Sequence, residues 1–171
     1  MKHFLLFVIC FSYLSVGFSQ SKSSIDFVIR NFGINVDGHF NTFNIETDFN
    51  AKGELIGVKS KIKVASIETG IESRDEHLLN ADYFDDENHE YIILKSKTIS
   101  KKSDTVYELV SNITIKGKTK EKRIKVNCNK INSQYKITAN FEINRRDFNV
   151  GGGSLVMSNT VKIDVNYYHN L

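Results

Sequence analysis

The greatest concentration of reactive side chains lies in TGIESRDEHLLNADYFD, from Thr69 to Asp85, where Arg74, Asp75, Glu76 and His77 follow one another directly. A guanidinium and an imidazole so close together offer direct contact with a polar ligand. Ser73-Arg74-Asp75-Glu76 has the form of a capping box, in which a serine hydroxyl and a glutamate three residues on satisfy each other's orphan amides. The spacing predicts one short helix near residues 74–82. Leu78 and Leu79, with Phe84 beyond, give it an apolar side, while Arg74, Asp75 and Asp82 point elsewhere. Two roles follow: the helix plugs or braces one end of the structure around it, or it presents Arg74 or His77 to a ligand.

The remaining reactive residues do not assemble into an enzyme. Gly117-Lys118-Thr119 matches the end of a phosphate-binding loop, but the glycine required five residues before Gly117 is Asn112, and strand-forming residues surround it. It reads as a hairpin turn. His39, His77, His89 and His169 show no paired ligand spacing, and Cys128 sits in an alternating strand without a partner, so no metal site is expected. Asp82, Asp85, Asp86 and Glu87 lack the spacing of a calcium loop and read as a solvated face. Lys116, Lys118, Lys120, Lys122 and Arg123 form a basic hairpin, either a solvated turn or a point of transient contact with anionic lipid headgroups. Asn112-Ile113-Thr114 is a glycosylation sequon buried in a strand pattern. No catalytic residue and no cofactor is predicted.

Lys2 and His3 precede an apolar run from Phe4 to Val16, and Gly17-Phe18-Ser19 offers small residues where a signal peptidase reads. We expect a signal peptide over residues 1–19, cleavage after Ser19, and a periplasmic or secreted product. The run is shorter than the roughly 20 residues of a membrane span. Cys10 follows Ile9, the wrong neighbour for a lipidated cysteine. Residues 20–171 suit one domain, with Cys128 alone and therefore no intramolecular disulfide. The whole chain carries 23 basic and 20 acidic residues, and loss of Lys2 leaves 22 against 20, a balance that does not suggest nucleic-acid binding.

The elements that must position these residues are strands. Period-two alternation runs through Ile25 to Ile29, Phe43 to Phe49, Ile56 to Val64, a stretch near Tyr91 to Ser96, Tyr107 to Ile115, Ile124 to Cys128, Tyr135 to Ile143 and Leu155 to Tyr167. Short separators such as Lys52-Gly53, Lys116-Gly117-Lys118 and Asn132-Ser133 make sequential neighbours antiparallel. About eight strands, each with one apolar face, predict an all-β, antiparallel, eight-stranded lipocalin-like barrel with one short helix; two stacked sheets are the other solution.

The segment from Thr69 to Asp85 resembles the signature of the YceI-like family of lipid- or polyisoprenoid-binding barrels from bacterial envelopes, with Thr69, Gly70, Arg74, Asp75, His77, Leu78, Phe84 and Asp85 in register. The likeness extends to Gly33, Val36, Gly38 and Phe40, to Thr114-Ile115-Lys116-Gly117-Lys118-Thr119, and to Arg145, Asp147 and Phe148. Three positions depart from the family pattern: Asn31 replaces a histidine, His89-Glu90 a tyrosine-proline pair, and Asn149 a glycine. The resemblance implies non-enzymatic binding, storage or transport of a polyisoprenoid or quinone-like lipid, carried as cargo. The candidate lining is the set of large apolar residues on the inward faces: Phe27, Phe43, Ile45, Ile62, Leu109, Ile113, Ile137, Phe141, Met157 and Ile163. The alternative is an exported barrel with a filled core that serves as a protein-interaction or envelope stress-response module. Oligomeric state is not legible.

Overall fold

The computed structural model describes residues 23–171; the expected signal peptide and its cleavage point lie outside them. Ten strands form one antiparallel sheet: β1 (Ser24–Asn31), β2 (Ile34–Phe40), β3 (Phe43–Phe49), β4 (Leu55–Lys63), β5 (Ile67–Glu68), β6 (Tyr91–Lys101), β7 (Val106–Ile115), β8 (Lys118–Ile131), β9 (Gln134–Asn144) and β10 (Met157–Asn170). The hydrogen-bonded order is β3-β4-β6-β7-β8-β9-β10-β1-β2-β5. Its two ends meet. β3 continues β2 after Asn41 and Thr42, and β5 continues β4 after the 3-10 turn Val64–Ser66. The Asn41 amide donates to the Ser66 carbonyl (3.0 Å) and the Lys63 amide to the Thr42 carbonyl (2.9 Å), so the β2–β5 and β3–β4 ladders are two parts of one seam. Counted as two bent strands, these four pieces bring the total to the expected eight, and the sheet curls into a barrel.

Alternation sorts inside from outside most plainly on β7, where Tyr107, Leu109, Ser111, Ile113 and Ile115 are all buried. One expectation about faces fails, at an irregularity. Ile56 was placed on the inward face with Val58, yet it is 56 % exposed and Leu55 is buried instead. A bulge between Asp48 and Phe49 pairs Phe49 with Leu55 and Asp48 with Gly57, and an extra residue of this kind reverses the phase of everything beyond it. A second bulge between Ser96 and Thr98 carries β6 on to Lys101, past the break in the pattern at Ser96. Leu155 also leaves its expected strand: it is fully exposed in the loop before β10.

The one α-helix among the described residues, α1, spans Glu72–Leu79 and covers one end of the barrel between β5 and β6. The capping box is not formed. Ser73 lies inside the helix, and the capping position is Ile71, which has no capping side chain. Gly70, at φ 82°, turns the chain so that the helix starts early, and Asp75 reaches back to accept from the Thr69 amide at 3.0 Å. Leu78 and Leu79 pack against the core as expected. The opposite end is closed by aromatic packing: Phe49 stacks on Tyr135 at 4.3 Å and meets the His169 ring at 5.2 Å.

Candidate ligand cavity

The barrel is not filled by its own side chains. A cavity of about 380 Å³ lies inside it, within the range of small-ligand pockets and consistent with an eight-stranded barrel that holds one ligand. Its position follows from burial. On β7 and β8 the inward residues Leu109, Ile113, Ile124 and Val126 are packed to within a few percent of complete burial. On β9 and β10 the inward residues Ala139, Phe141, Ile143, Val161, Ile163 and Val165 all keep accessible surface. The void therefore borders the β9–β10 wall, where Ala139 contributes only a methyl group, and reaches Ile45, Thr47, Val58 and Ser60 on β3 and β4, which are also only partly buried. Gly38 clears space at the neighbouring β1–β2 pair: the Phe27 ring lies across it, and a β-carbon there would sit 2.3 Å from Phe27 Cζ.

Nine of the ten predicted apolar residues line this cavity: Phe27, Ile45, Ile62, Leu109, Ile113, Ile137, Phe141, Met157 and Ile163. Phe43 does not; it shares the inward face of β3 but packs on the core near the β2–β3 bend. Sequence reasoning missed Val36, Tyr83, Phe84 and Phe148 on the wall. Ile29, Val165 and Tyr167 were readable, because they alternate in phase with the residues chosen.

The charged groups and the imidazole of the wall gather at the helix end, while Thr47, Ser60 and Tyr167 line it elsewhere. Arg74 was expected to point away, but it is half-buried and lines the cavity. Its Nε donates to Thr69 Oγ1 and its Nη2 to the Thr69 carbonyl, both at 2.7 Å. Thr69 Oγ1 in turn donates to Asp75. Thr69, Arg74 and Asp75 thus form a closed network that locks the helix start and holds one guanidinium at the cavity wall. His77, exposed on its other side, lines the cavity next to Tyr83, with ring centroids 4.9 Å apart.

Arg145 sits at the same end in the 3-10 turn Arg145–Phe148 and is only 3 % exposed. It has no carboxylate partner. Its Nε donates to the Ser158 carbonyl at 2.9 Å, and Nη1 donates to the carbonyls of Val150 (2.9 Å), Gly151 (2.9 Å) and Gly152 (3.0 Å). Nη2 reaches the Met157 carbonyl (3.4 Å) and Asn159 Oδ1 (3.3 Å). Burial lowers its pKa, opposed by Tyr83 and reinforced by Arg146, but a guanidinium stays charged at any physiological pH. The glycine-rich loop is wrapped around this cation by its own carbonyls. Asp147, in the same turn, is exposed and does not line the cavity. Asn149, where the family pattern has glycine, adopts φ 57°, a conformation asparagine tolerates.

The other reactive residues are spread out. His39 lies 3.5 Å from Glu68, His89 3.8 Å from Asp85, and His169 Nδ1 3.0 Å from Thr47 Oγ1. Cys128 is buried, and desolvation raises its thiol pKa. The basic hairpin is only partly a solvated turn: Lys116 Nζ donates to the carbonyls of Ala81 and Asn149, tying the β7–β8 turn to the helix end, while Lys118 and Lys120 remain exposed.

Fold and cavity together define an antiparallel β-barrel with an apolar, ligand-sized interior and a helix over one end. The chain belongs to the YceI-like family: the YceI-like domain matches residues 18–168. A UPF0312 protein of Staphylococcus epidermidis is 30 % identical over 115 residues, a stretch covering 66 % of this chain and 64 % of that relative. The chain thus spans slightly less than two thirds of that relative's length. Among solved structures, BcnA of Burkholderia cenocepacia superposes with a TM-score of 0.81 at 21 % identity, over 86 % of this chain and 96 % of that one. A polyisoprenoid-binding domain of Saccharophagus degradans, implicated in plant cell wall breakdown, superposes with a TM-score of 0.70 at 15 % identity, over 87 % and 94 % of the two chains.

Proposed function

We propose that this protein binds one long-chain isoprenoid or quinone-like lipid, with the tail in the cavity and the polar end against Thr69, Arg74 and His77, and that it does so without catalysing a reaction. The observation that carries this reading is the cavity itself, walled by apolar side chains in a barrel wide enough to have been filled. Each methylene moved from water into such a space contributes about 0.8 kcal/mol, so a prenyl tail gains enough from enclosure to be carried through an aqueous compartment. The polyisoprenoid-binding domain that shares the fold supports the same ligand class. The apolar N-terminal run with its small-residue site supports export to the cell envelope, where storage or transport of such a lipid is useful.

The test is native mass spectrometry of the purified protein, followed by solvent extraction and lipid analysis. A stoichiometric prenyl lipid is expected. Phe141→Asp places a charge in the cavity wall and should empty it; Ala139→Phe fills the space with an apolar ring and should do the same without a charge. A protein that stays free of lipid after incubation with polyprenols and quinones would refute the proposal.

A further inference from the structure

The largest exposed apolar side chains at the helix end belong to two neighbouring segments. Phe32 is 73 % and Ile34 69 % exposed at the β1–β2 hairpin, and Leu155 is fully and Val156 43 % exposed in the loop that follows the glycines. The two segments are joined: the Phe32 amide donates to the Val156 carbonyl at 2.9 Å, and Asn31 pairs with Met157 as well as with Ile34. Asn31, Val36 and Met157 line the cavity, so these side chains stand on its rim.

Neither folding nor solubility accounts for them. Phe32 holds φ 49° at the tip of the hairpin, next to Gly33 at 78°, a left-handed geometry that bulky residues adopt at a cost. Asparagine would suit the turn better, yet an exposed phenyl ring is kept there. Charge is also depleted. Residues 29–36 and 149–160 contain one ionisable side chain, Arg30, in a chain of which 25 % is charged. Arg30 Nε donates to the Gly33 carbonyl at 3.0 Å, so this exposed cation stands at the base of the apolar tip. The nearest carboxylates lie outside these two segments, on β2 (Asp37), in the 3-10 turn (Asp147) and on α1 (Glu72 and Glu76).

We propose that this rim docks on a lipid bilayer, with Phe32, Ile34, Leu155 and Val156 entering the boundary between headgroups and acyl chains and Arg30 meeting phosphate. Apolar side chains projecting from two loop tips match the uneven depth of that boundary, whereas a protein partner of ordinary size needs a broad surface of about 800 Å² on each side. Within the two segments Arg30 is the one charge, and its sign complements anionic headgroups. Docking by this rim turns the helix-covered end of the cavity toward the membrane, but it does not depend on what the cavity holds.

The experiment is flotation of the purified protein with vesicles of phosphatidylethanolamine and phosphatidylglycerol. Three proteins are compared: the wild type, the double variant Phe32→Asn with Leu155→Ser, and Ile131→Ser. Asparagine accepts the φ of position 32, so the double variant folds; Ile131 is a comparably exposed apolar residue at the opposite end of the barrel. The wild type and Ile131→Ser should float, and the double variant should partition about 100-fold more weakly. Any contribution from the N-terminal segment is common to all three. Lipid cargo is loaded separately from detergent, so a protein that floats without ever taking up cargo supports the rim while the proposed function fails. No flotation of a cargo-loaded wild type overturns the rim, as does equal loss in both variants, or self-association through this patch without vesicle binding.

Discussion

Replacing Arg145 by methionine keeps most of the side-chain volume and removes every donor. Six acceptors lose their partner. The carbonyls of Gly152 and the side chain of Asn159 belong to exposed residues and turn to water at little cost, but Val150 and Gly151 are buried. Two orphaned buried carbonyls cost about 1–3 kcal/mol each. Removing an unpaired, desolvated charge returns part of this, which leaves a net loss of about 3 kcal/mol. For a domain of this size that lowers Tm by roughly 6–12 °C. The chain has no tryptophan, so urea and thermal unfolding are followed by far-ultraviolet circular dichroism. Arg145→Lys should fall between the two, because a single ammonium cannot reproduce a planar fork of five N–H groups. If Arg145→Met lies within about 0.5 kcal/mol of the wild type, the glycine-rich loop does not depend on this cation. If Arg145→Lys matches the wild type, the fork geometry is irrelevant.

Two further outcomes follow from local geometry. Gly38→Ala puts a β-carbon 2.3 Å from Phe27 Cζ and 2.9 Å from the Glu68 carbonyl, so it must displace the ring or open the β2–β5 pairing; a loss of about 1–3 kcal/mol is expected in urea unfolding, and an unchanged midpoint would count against the close approach. Cys128 is buried and its thiol pKa is raised by desolvation, which depletes the reactive thiolate at neutral pH. In a Cys10→Ser background the native protein should leave dithiobis-nitrobenzoate unreacted and release one thiol's worth of colour on unfolding in urea, whereas prompt native reaction would refute the burial of Cys128.

Much of the architecture could be read locally, because side chains on a strand alternate between faces whatever the strand packs against. Tyr107 to Ile115 alternates in sequence and in burial alike, and the same rule marked nine residues that line one cavity. The spacing of Thr69, Arg74 and Asp75 marked a local unit for the same reason: its hydrogen bonds span at most six residues. What alternation could not supply is phase after a bulge, since one extra residue on one strand is visible only against its partner. That is why Ile56 is outside and why β6 outruns its pattern. Arg145 stands out in the sequence only through the family likeness, and becomes a buried keystone only when residues 150–159 fold back over it. The cavity is the furthest from sequence. Each strand determines which side chains face inward, but whether they meet or leave a space depends on the summed volumes around a closed barrel. Ala139 on one wall and Leu109 on another acquire their meaning only when the two ends of the sheet are joined.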